Sequence, residues 1–267
     1  MAKNKMWRIG ELPERIDYSN WINEIEKSNS KYKQLFSNAT PFPPVFFFGD
    51  PDGAIAATVG VNPSAEEFSS YRRWPSCNNP QAVIKRCRDY FCDPQGLAAH
   101  PWFLPWKRFL GTIGLSYNAV PRAVHIDLSP RATRSMGALQ TGGKQIQDLF
   151  LDLVANDLKY FFGQLKAYPR IRYVYMAGSI TKKFYLIEFL KKYSAPHGVT
   201  FESVLPFRRG GAGKIGLYNF DFGDDNLHRL FFCSTSPSAR GSPDILPQKA
   251  AWLKKNYPLF TPRNDFN

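Results

Sequence analysis

A short apolar strand that stops at polar residues constrains the fold of this chain most strongly. Residues 54–59 form a continuous apolar run broken only by a threonine, and residues 60–64 then read Gly-Val-Asn-Pro-Ser. Apolar runs of this length with turn residues at both ends are typical of strands buried on both faces of a parallel sheet. In α/β sheets, ligands bind beyond the carboxyl ends of such strands. The stretch therefore predicts either a site at Asn62 or a strand that simply turns at its Asn-Pro pair.

Three further apolar runs repeat this pattern and alternate with helical periodicity. Residues 122–128, 173–177 and 230–233 have the composition of buried strands, and each ends at polar residues or glycine. Residues 145–165 and 181–193 carry apolar side chains at helical spacing between these strands. Such alternation predicts a three-layer α/β/α fold around a central four-stranded, mainly parallel sheet.

The other segments are expected to surround this sheet within one domain that covers the whole chain. Residues 1–44 are interpreted as an N-terminal helical extension, and residues 199–222 as an antiparallel hairpin insertion. A second hairpin is expected between residues 45–48 and the first strand, because a Pro/Asp/Gly turn joins these two apolar runs.

The charge of the chain points to a polyanionic partner. The sequence contains 35 Lys and Arg residues against 22 Asp and Glu residues, which gives a formal net charge of +13. A basic surface of this size favours nucleic acid first and an acidic membrane second. Arg208 and Arg209 begin the glycine-rich tip of the hairpin insertion, which lacks the G-x-x-x-x-G-K-[ST] spacing of a phosphate-binding loop. We therefore expect this tip to be a basic contact surface.

The sequence predicts a cytoplasmic protein with no metal, no cofactor and no membrane contact. No stretch approaches the roughly 20 apolar residues that span a bilayer, and the first eight residues lack the apolar core of a signal peptide. The four cysteines, Cys77, Cys87, Cys92 and Cys233, include no C-x-x-C pair. Reduced thiols are the default expectation, with an iron–sulfur cluster held by all four as the alternative.

Two of the polar stops together resemble the motifs of the uracil-DNA glycosylase superfamily. Residues 60–64 are similar to its first motif, G-[QIM]-[DN]-P-[YG], and residues 236–240 to its second, which reads M-P-S-S-S-A-R in the thymine-DNA glycosylase branch. The resemblance covers residues 54–242. It implies a monofunctional hydrolase that flips a base out of DNA, cuts the N-glycosidic bond and leaves an abasic site.

The resemblance also implies a role for each matching residue. Asn62 would hold the water that attacks the sugar, so that catalysis rests on positioning and electrostatics. Arg240 would fill the gap that the flipped base leaves in the stack. Ser234 stands where the efficient uracil enzymes have histidine, which implies a slower or more specialised enzyme. Gly60, Val61 and Pro63 would surround the base, while Ser234, Ser236, Pro237, Ser238 and Arg240 would contact DNA. Arg208 and Arg209 are expected to contact DNA because of their charge, apart from the resemblance.

Asp127 departs from the family pattern in a way that bears on the substrate. It falls where the uracil enzymes use asparagine to recognise the edge of the base. An ionised carboxylate only accepts hydrogen bonds, so it would repel O4 of uracil or thymine and accept from the exocyclic amine of cytosine or a modified cytosine. The alternative is a strand-end aspartate that caps a loop. Phe68, Tyr71 or Trp74 could stack on the base, and the sequence does not choose among them.

These observations predict a monomeric DNA glycosylase that removes a uracil, a mismatched base or a modified pyrimidine during DNA repair. The alternative is a non-catalytic protein that binds nucleic acid with a glycosylase-like fold. A third class is an enzyme that acts on a nucleotide or another small phosphorylated molecule through residues 208–214.

Overall fold

A six-stranded sheet runs through the centre of the computed structural model. The structure describes residues 16–37, 41–65, 80–92, 98–120, 122–181, 184–208, 214–223, 227–237 and 244–262. The strands of the central sheet are β1 (Ala54–Gly60), β2 (Arg122–Asp127), β3 (Tyr173–Ala177), β6 (Thr200–Leu205), β7 (Ile215–Asp221) and β8 (His228–Cys233). A separate two-stranded sheet consists of β4 (Ser179–Thr181) and β5 (Phe184–Tyr185).

The strand order is β2-β1-β3-β8-β7-β6. The first four strands in this order are mutually parallel, and the β6–β7 hairpin continues the sheet in antiparallel fashion. The four predicted strands therefore form the parallel part of the sheet, and the predicted hairpin insertion extends it at one edge. The α/β fold class with its mainly parallel sheet is confirmed.

Helices cover both faces of the sheet. They are α1 (Tyr18–Ser28), α2 (Pro80–Arg88), α3 (Leu104–Thr112), α4 (Met136–Thr141), α5 (Gly143–Ala167), α6 (Leu186–Tyr193) and α7 (Ile245–Asn256). On one face, Phe109 of α3 packs against Tyr175 and Phe231 at ring-centroid distances of 5.0 and 5.4 Å. On the other face, α5 packs against α1, with the rings of Trp21 and Tyr160 5.1 Å apart.

The prediction of a hairpin between residues 45–48 and β1 is wrong. Phe48 instead pairs with His125 of β2, through bonds of 2.8 and 3.0 Å between their backbone N–H and C=O groups. The reason is that β1 already has parallel partners, β2 and β3, on both sides, so the segment pairs instead at the outer edge of β2, an edge strand of the sheet. The helix expected from residue 181 also begins later, at Leu186, because β4 and β5 precede it.

Three of the four cysteines lie in the described ranges. Cys87 and Cys233 are buried reduced thiols and Cys92 is exposed, whereas Cys77 falls outside the described residues. Among the described residues, no group of three or more His, Cys, Asp or Glu side chains is arranged to hold a metal ion. None of the helices in the described ranges is both long and apolar enough to cross a lipid bilayer.

Candidate functional site

A cavity of about 570 Å³ opens at the carboxyl ends of the parallel strands. Its wall is built by the β1 loop (residues 61–65), the β2 loop (residues 128–135), the start of the segment after β3, and the β8 loop (residues 234–237). Parallel strands direct their carboxyl ends to one edge of a sheet, so loops distant in sequence meet there. The volume falls within the range of about 300–1,000 Å³ that is typical of small-molecule sites. Of the residues expected to bind the base, the sugar or DNA, those that line the cavity are Gly60, Val61, Asn62, Pro63, Asp127, Ser236 and Pro237.

The amide of Asn62 is held in one orientation at this cavity. Its Nδ2 donates hydrogen bonds to the carbonyl oxygen of Pro63 at 2.8 Å, to that of Arg131 at 3.3 Å and to Thr133 Oγ1 at 2.8 Å. Two of these partners are carbonyls, which can only accept, so the nitrogen of the amide must face them. No described group donates to Asn62 Oδ1. The half-buried side chain therefore presents an acceptor oxygen for a small donor such as water.

The β1 and β2 loops are joined beyond the ends of their strands. The backbone N–H groups of Leu128 and Ser129 donate to Gly60 and Val61 carbonyls at 3.1 and 2.9 Å, and the N–H of Ala65 donates to the carbonyl of Thr133 at 3.2 Å. The pairing of β1 with β2 thus continues into the loops. Because the two loops are paired, the acceptors in the β2 loop lie within hydrogen-bond distance of the Asn62 amide nitrogen.

A buried ion pair between Arg131 and Asp157 anchors the β2 loop to helix α5. The guanidinium of Arg131 makes two parallel hydrogen bonds of 3.0 Å to the carboxylate of Asp157 on α5, and Ser129 Oγ donates to the same carboxylate at 2.6 Å. Burial raises the pKa of the Asp157 carboxyl, and the positive charge of Arg131 opposes that increase. Further bonds run from Arg131 to Ser28 Oγ and Asn29 Oδ1, at 2.8 and 2.9 Å. The backbone carbonyl that orients Asn62 therefore belongs to a residue fixed by its own side chain.

A chain of hydrogen bonds leads from the core to Asp127. Tyr117 and Thr58 share a bond of 2.5 Å between their hydroxyl oxygens, and Thr58 Oγ1 lies 2.8 Å from His125 Nδ1. His125 Nε2 in turn lies 3.2 Å from Asp127 Oδ1. Only 5% of Asp127 is exposed, and both it and His125 line the cavity. His125 was not identified from the sequence, although the alternation of a strand places residues 125 and 127 on the same face.

Gly60 leaves the space that the Asp127 side chain occupies. The register of β1 and β2 places Thr58 beside His125 and Gly60 beside Asp127. A Cβ atom on residue 60 would lie 2.3 Å from Asp127 Oδ1 and 3.1 Å from His125 Nε2. The role of Gly60 in the structure is therefore steric.

Gly60→Ala is expected to displace the Asp127 carboxylate and break its contact with His125 while the fold is retained, because a flexible side chain can turn away from the added methyl group. Nuclear magnetic resonance of the histidine side chains would detect the change at His125. Unchanged His125 signals would contradict this steric role. Gly111→Ala is the matched control, since no atom lies within 4 Å of a Cβ placed there.

Aromatic rings form a second wall of the cavity. Phe48, Trp102 and Phe103 line it, and their ring centroids lie 5.7, 5.0 and 5.0 Å from that of His125. Such a wall can receive the face of a planar base. The three residues expected to stack on the base, Phe68, Tyr71 and Trp74, lie outside the described residues. Phe48 was not anticipated, because its apolar run gave no sign that it pairs with β2.

The residues expected to contact DNA lie at or beside the same edge of the sheet where they are described. Ser236 approaches Gly178 closely: a Cβ on Gly178, whose φ is +96°, would lie 3.4 Å from the Ser236 Cα. Ser234 does not line the cavity, and its backbone N–H donates to the carbonyl of Lys214 at 2.9 Å. The exposed Arg208 and Lys214 thus flank the hairpin tip at the carboxyl edge. Arg209, Ser238 and Arg240 fall outside the described residues.

Arg134 adds a positive charge to the cavity wall and was not identified from the sequence. It is exposed, and its Nε donates to the carbonyl of Phe36 at 3.2 Å, which orients the guanidinium. Within the described ranges, no acceptor is bonded to its two terminal nitrogens. These nitrogens can bind an anionic ligand.

No protein-family model matches this sequence, and no curated protein matches it significantly. The resemblance to the uracil-DNA glycosylase superfamily therefore remains a prediction that rests on the two motifs. The function has to be argued from the chemistry of the cavity.

Proposed function

We propose that this protein is a DNA glycosylase that hydrolyses the N-glycosidic bond of a flipped pyrimidine. The observation that carries the proposal is the orientation of Asn62. Its amide nitrogen is held by three acceptors, so its oxygen is available to a water beside a cavity that has an aromatic wall. Water at this position, below a sugar whose base occupies the cavity, would be aligned with C1′.

Asn62 would act by holding this water rather than by removing its proton, since a neutral amide is not a practical base. As the N-glycosidic bond breaks, its electron pair leaves with the base, and the water oxygen forms the new bond to C1′. The water then loses one proton to solvent, and the departing base gains one. Asn62, the described residue assigned to the water, offers the positive charge that develops on the sugar a carbonyl dipole rather than a full negative charge, so turnover is expected to be slow.

Asp127 makes a cytosine derivative the favoured substrate class. Its carboxylate lies in the same cavity as Asn62, with little exposure to solvent. A carboxylate there accepts a hydrogen bond from an exocyclic amine and repels the carbonyl oxygen that uracil and thymine carry at the corresponding position. Uracil and mismatched thymine are nevertheless among the tested bases, because a flipped base that presents another edge to Asp127 would avoid this repulsion.

The experiment is incubation of the purified protein with oligonucleotides that each carry one altered base, followed by alkali cleavage. The bases are uracil, a mismatched thymine, hypoxanthine, hydroxymethylcytosine and its glucosylated form, each in single- and double-stranded DNA. Strand scission that depends on alkali supports the proposal, because abasic sites break in alkali. Binding that weakens steeply with salt, without scission on any substrate, would instead favour the non-catalytic nucleic-acid-binding alternative.

Arg134→Ala is expected to weaken DNA binding by a similar factor for every sequence. It should also reduce the slope of log K against log salt by about 1, as the loss of one phosphate contact does. Arg170→Ala is the control, since Arg170 is exposed between α5 and β3, at the amino edge of the sheet opposite the cavity. Fluorescence anisotropy over a salt series measures both variants. Equal slopes for the two variants would remove Arg134 from the DNA interface.

A further inference from the structure

The buried hydroxyl of Tyr117 determines the direction of the hydrogen bonds that end at Asp127. Tyr117 is 3% exposed, and among the described residues its hydroxyl has one hydrogen-bond partner, Thr58 Oγ1. Burial raises the pKa of Tyr117, so the phenol keeps its proton at neutral pH. A buried donor without an acceptor is disfavoured because it has lost its hydrogen bond to water, so this proton is donated to Thr58 Oγ1.

Thr58 must then donate its own proton onward. Its second partner is His125 Nδ1, at 2.8 Å, and a nitrogen that accepts a hydrogen bond carries no proton. The neutral imidazole therefore has its proton on Nε2, where it is donated to Asp127 Oδ1 at 3.2 Å. Each group in the series has one direction only: Tyr117 to Thr58, Thr58 to His125, and His125 to Asp127.

This series leaves Asp127 as an acceptor. Its Oδ1 accepts the hydrogen bond from His125 Nε2–H, and no described group donates a hydrogen bond to its Oδ2. Asp127 lines the cavity, next to Asn62 and the aromatic wall. An incoming base edge therefore meets a carboxylate that is oriented by its neighbours and that lacks a donor of its own.

We propose that Tyr117, Thr58 and His125 are positioning residues that set the base specificity of the cavity by holding Asp127 as an acceptor for an exocyclic amine. The inference rests on the proposed function for its ligand, a flipped nucleotide. It goes further by assigning the choice between amine-bearing and carbonyl-bearing bases to a hydrogen-bond series that begins in the core, outside the reach of the ligand.

The test measures binding rather than cleavage. Matched oligonucleotides carry a single 2′-fluoro-deoxycytidine or 2′-fluoro-deoxyuridine, whose fluorine suppresses cleavage by destabilising positive charge on the sugar. The wild-type protein is expected to bind the cytidine oligonucleotide about tenfold more tightly, a difference of about 1.4 kcal/mol. Asp127→Asn, which replaces the lone acceptor with an amide, should remove or reverse this preference.

Thr58→Val keeps the shape of the side chain and removes the hydroxyl, so the preference should fall toward equal binding while overall affinity, dominated by phosphate contacts, changes little. Thr58→Ser retains the hydroxyl and should therefore show the wild-type preference for the cytidine oligonucleotide. The ¹⁵N shifts of the His125 ring provide a direct readout, and the chain has only four histidines to assign. Wild-type His125 should show the Nε2–H tautomer with an Nδ1 that accepts a hydrogen bond, and Thr58→Val should shift the Nδ1 signal to that of a nitrogen without a hydrogen-bond donor. Tyr117→Phe, which changes the start of the series, replaces Thr58→Val if that variant does not fold.

Equal binding of the two oligonucleotides by the wild-type protein, or tighter binding of uridine, would overturn the proposal. So would a Thr58→Val variant that keeps the full preference or the wild-type shift of His125 Nδ1. The two proposals fail separately. A cytidine preference without scission of any substrate contradicts only the glycosylase activity, and scission without a base preference contradicts only the positioning series.

Discussion

Asn62→Ala is expected to reduce scission of the best oligonucleotide substrate by about 100- to 1,000-fold, the loss typical when one preorganised polar group is removed from a reacting centre. DNA affinity should change little, because phosphate contacts dominate it and Asn62 carries no charge, whereas the exposed Arg134 does. Single-turnover kinetics with excess protein measures the chemical step. Anisotropy on the 2′-fluoro oligonucleotides measures binding.

Asn62→Asp is expected to fail as well, although a carboxylate could in principle stabilise a cationic sugar. The carbonyls of Pro63 and Arg131 lie 2.8 and 3.3 Å from the Asn62 nitrogen, and a carboxylate oxygen placed there would face two acceptors. The repulsion should turn the side chain out of position. Asn118→Ala, at an exposed asparagine of a loop before β2, is the control and should leave scission unchanged. Activity retained in Asn62→Ala would remove Asn62 from the mechanism.

Asp157→Ala is expected to lower the free energy of unfolding by about 3–5 kcal/mol, since it leaves the guanidinium of Arg131 buried without its carboxylate. The β2 loop should loosen with it, because Arg131 supplies one carbonyl to the Asn62 amide. Urea unfolding measures the stability, and amide hydrogen exchange over residues 129–134 measures the loop.

Asp148→Ala is the matched control for this prediction. Asp148 lies on the same helix, α5, and pairs with Lys144, but both side chains are more than half exposed. Exposed ion pairs contribute about 0–1 kcal/mol, so this variant should unfold nearly as the wild type does. A similar small loss in Asp157→Ala would show that the buried pair does not anchor the loop.

The strands and their polar ends could be predicted because these features depend on local sequence. A continuous apolar run such as residues 54–59 is compatible with burial on both faces, and Pro63 cannot continue the ladder of hydrogen bonds. Asp127 and Ser236 could be placed near Asn62 for a similar reason, since parallel strands end at one edge. The pairing of Phe48 with β2 could not be predicted, because turn residues favour a hairpin regardless of whether the neighbouring strand has a free edge.

The amino-acid sequence by itself determined the α/β class, the edge where the cavity opens and some of the residues that face it, among them Asn62, Asp127 and Ser236. Only the tertiary structure decided what those residues can do. The orientation of the Asn62 amide depends on Arg131 and Thr133, and the role proposed for Asp127 depends on contacts that run through His125 to Thr58 and Tyr117. These partners lie far apart in the chain, and hydrogen bonds are directional over about 3 Å, so their geometry exists only once the strands have paired in register.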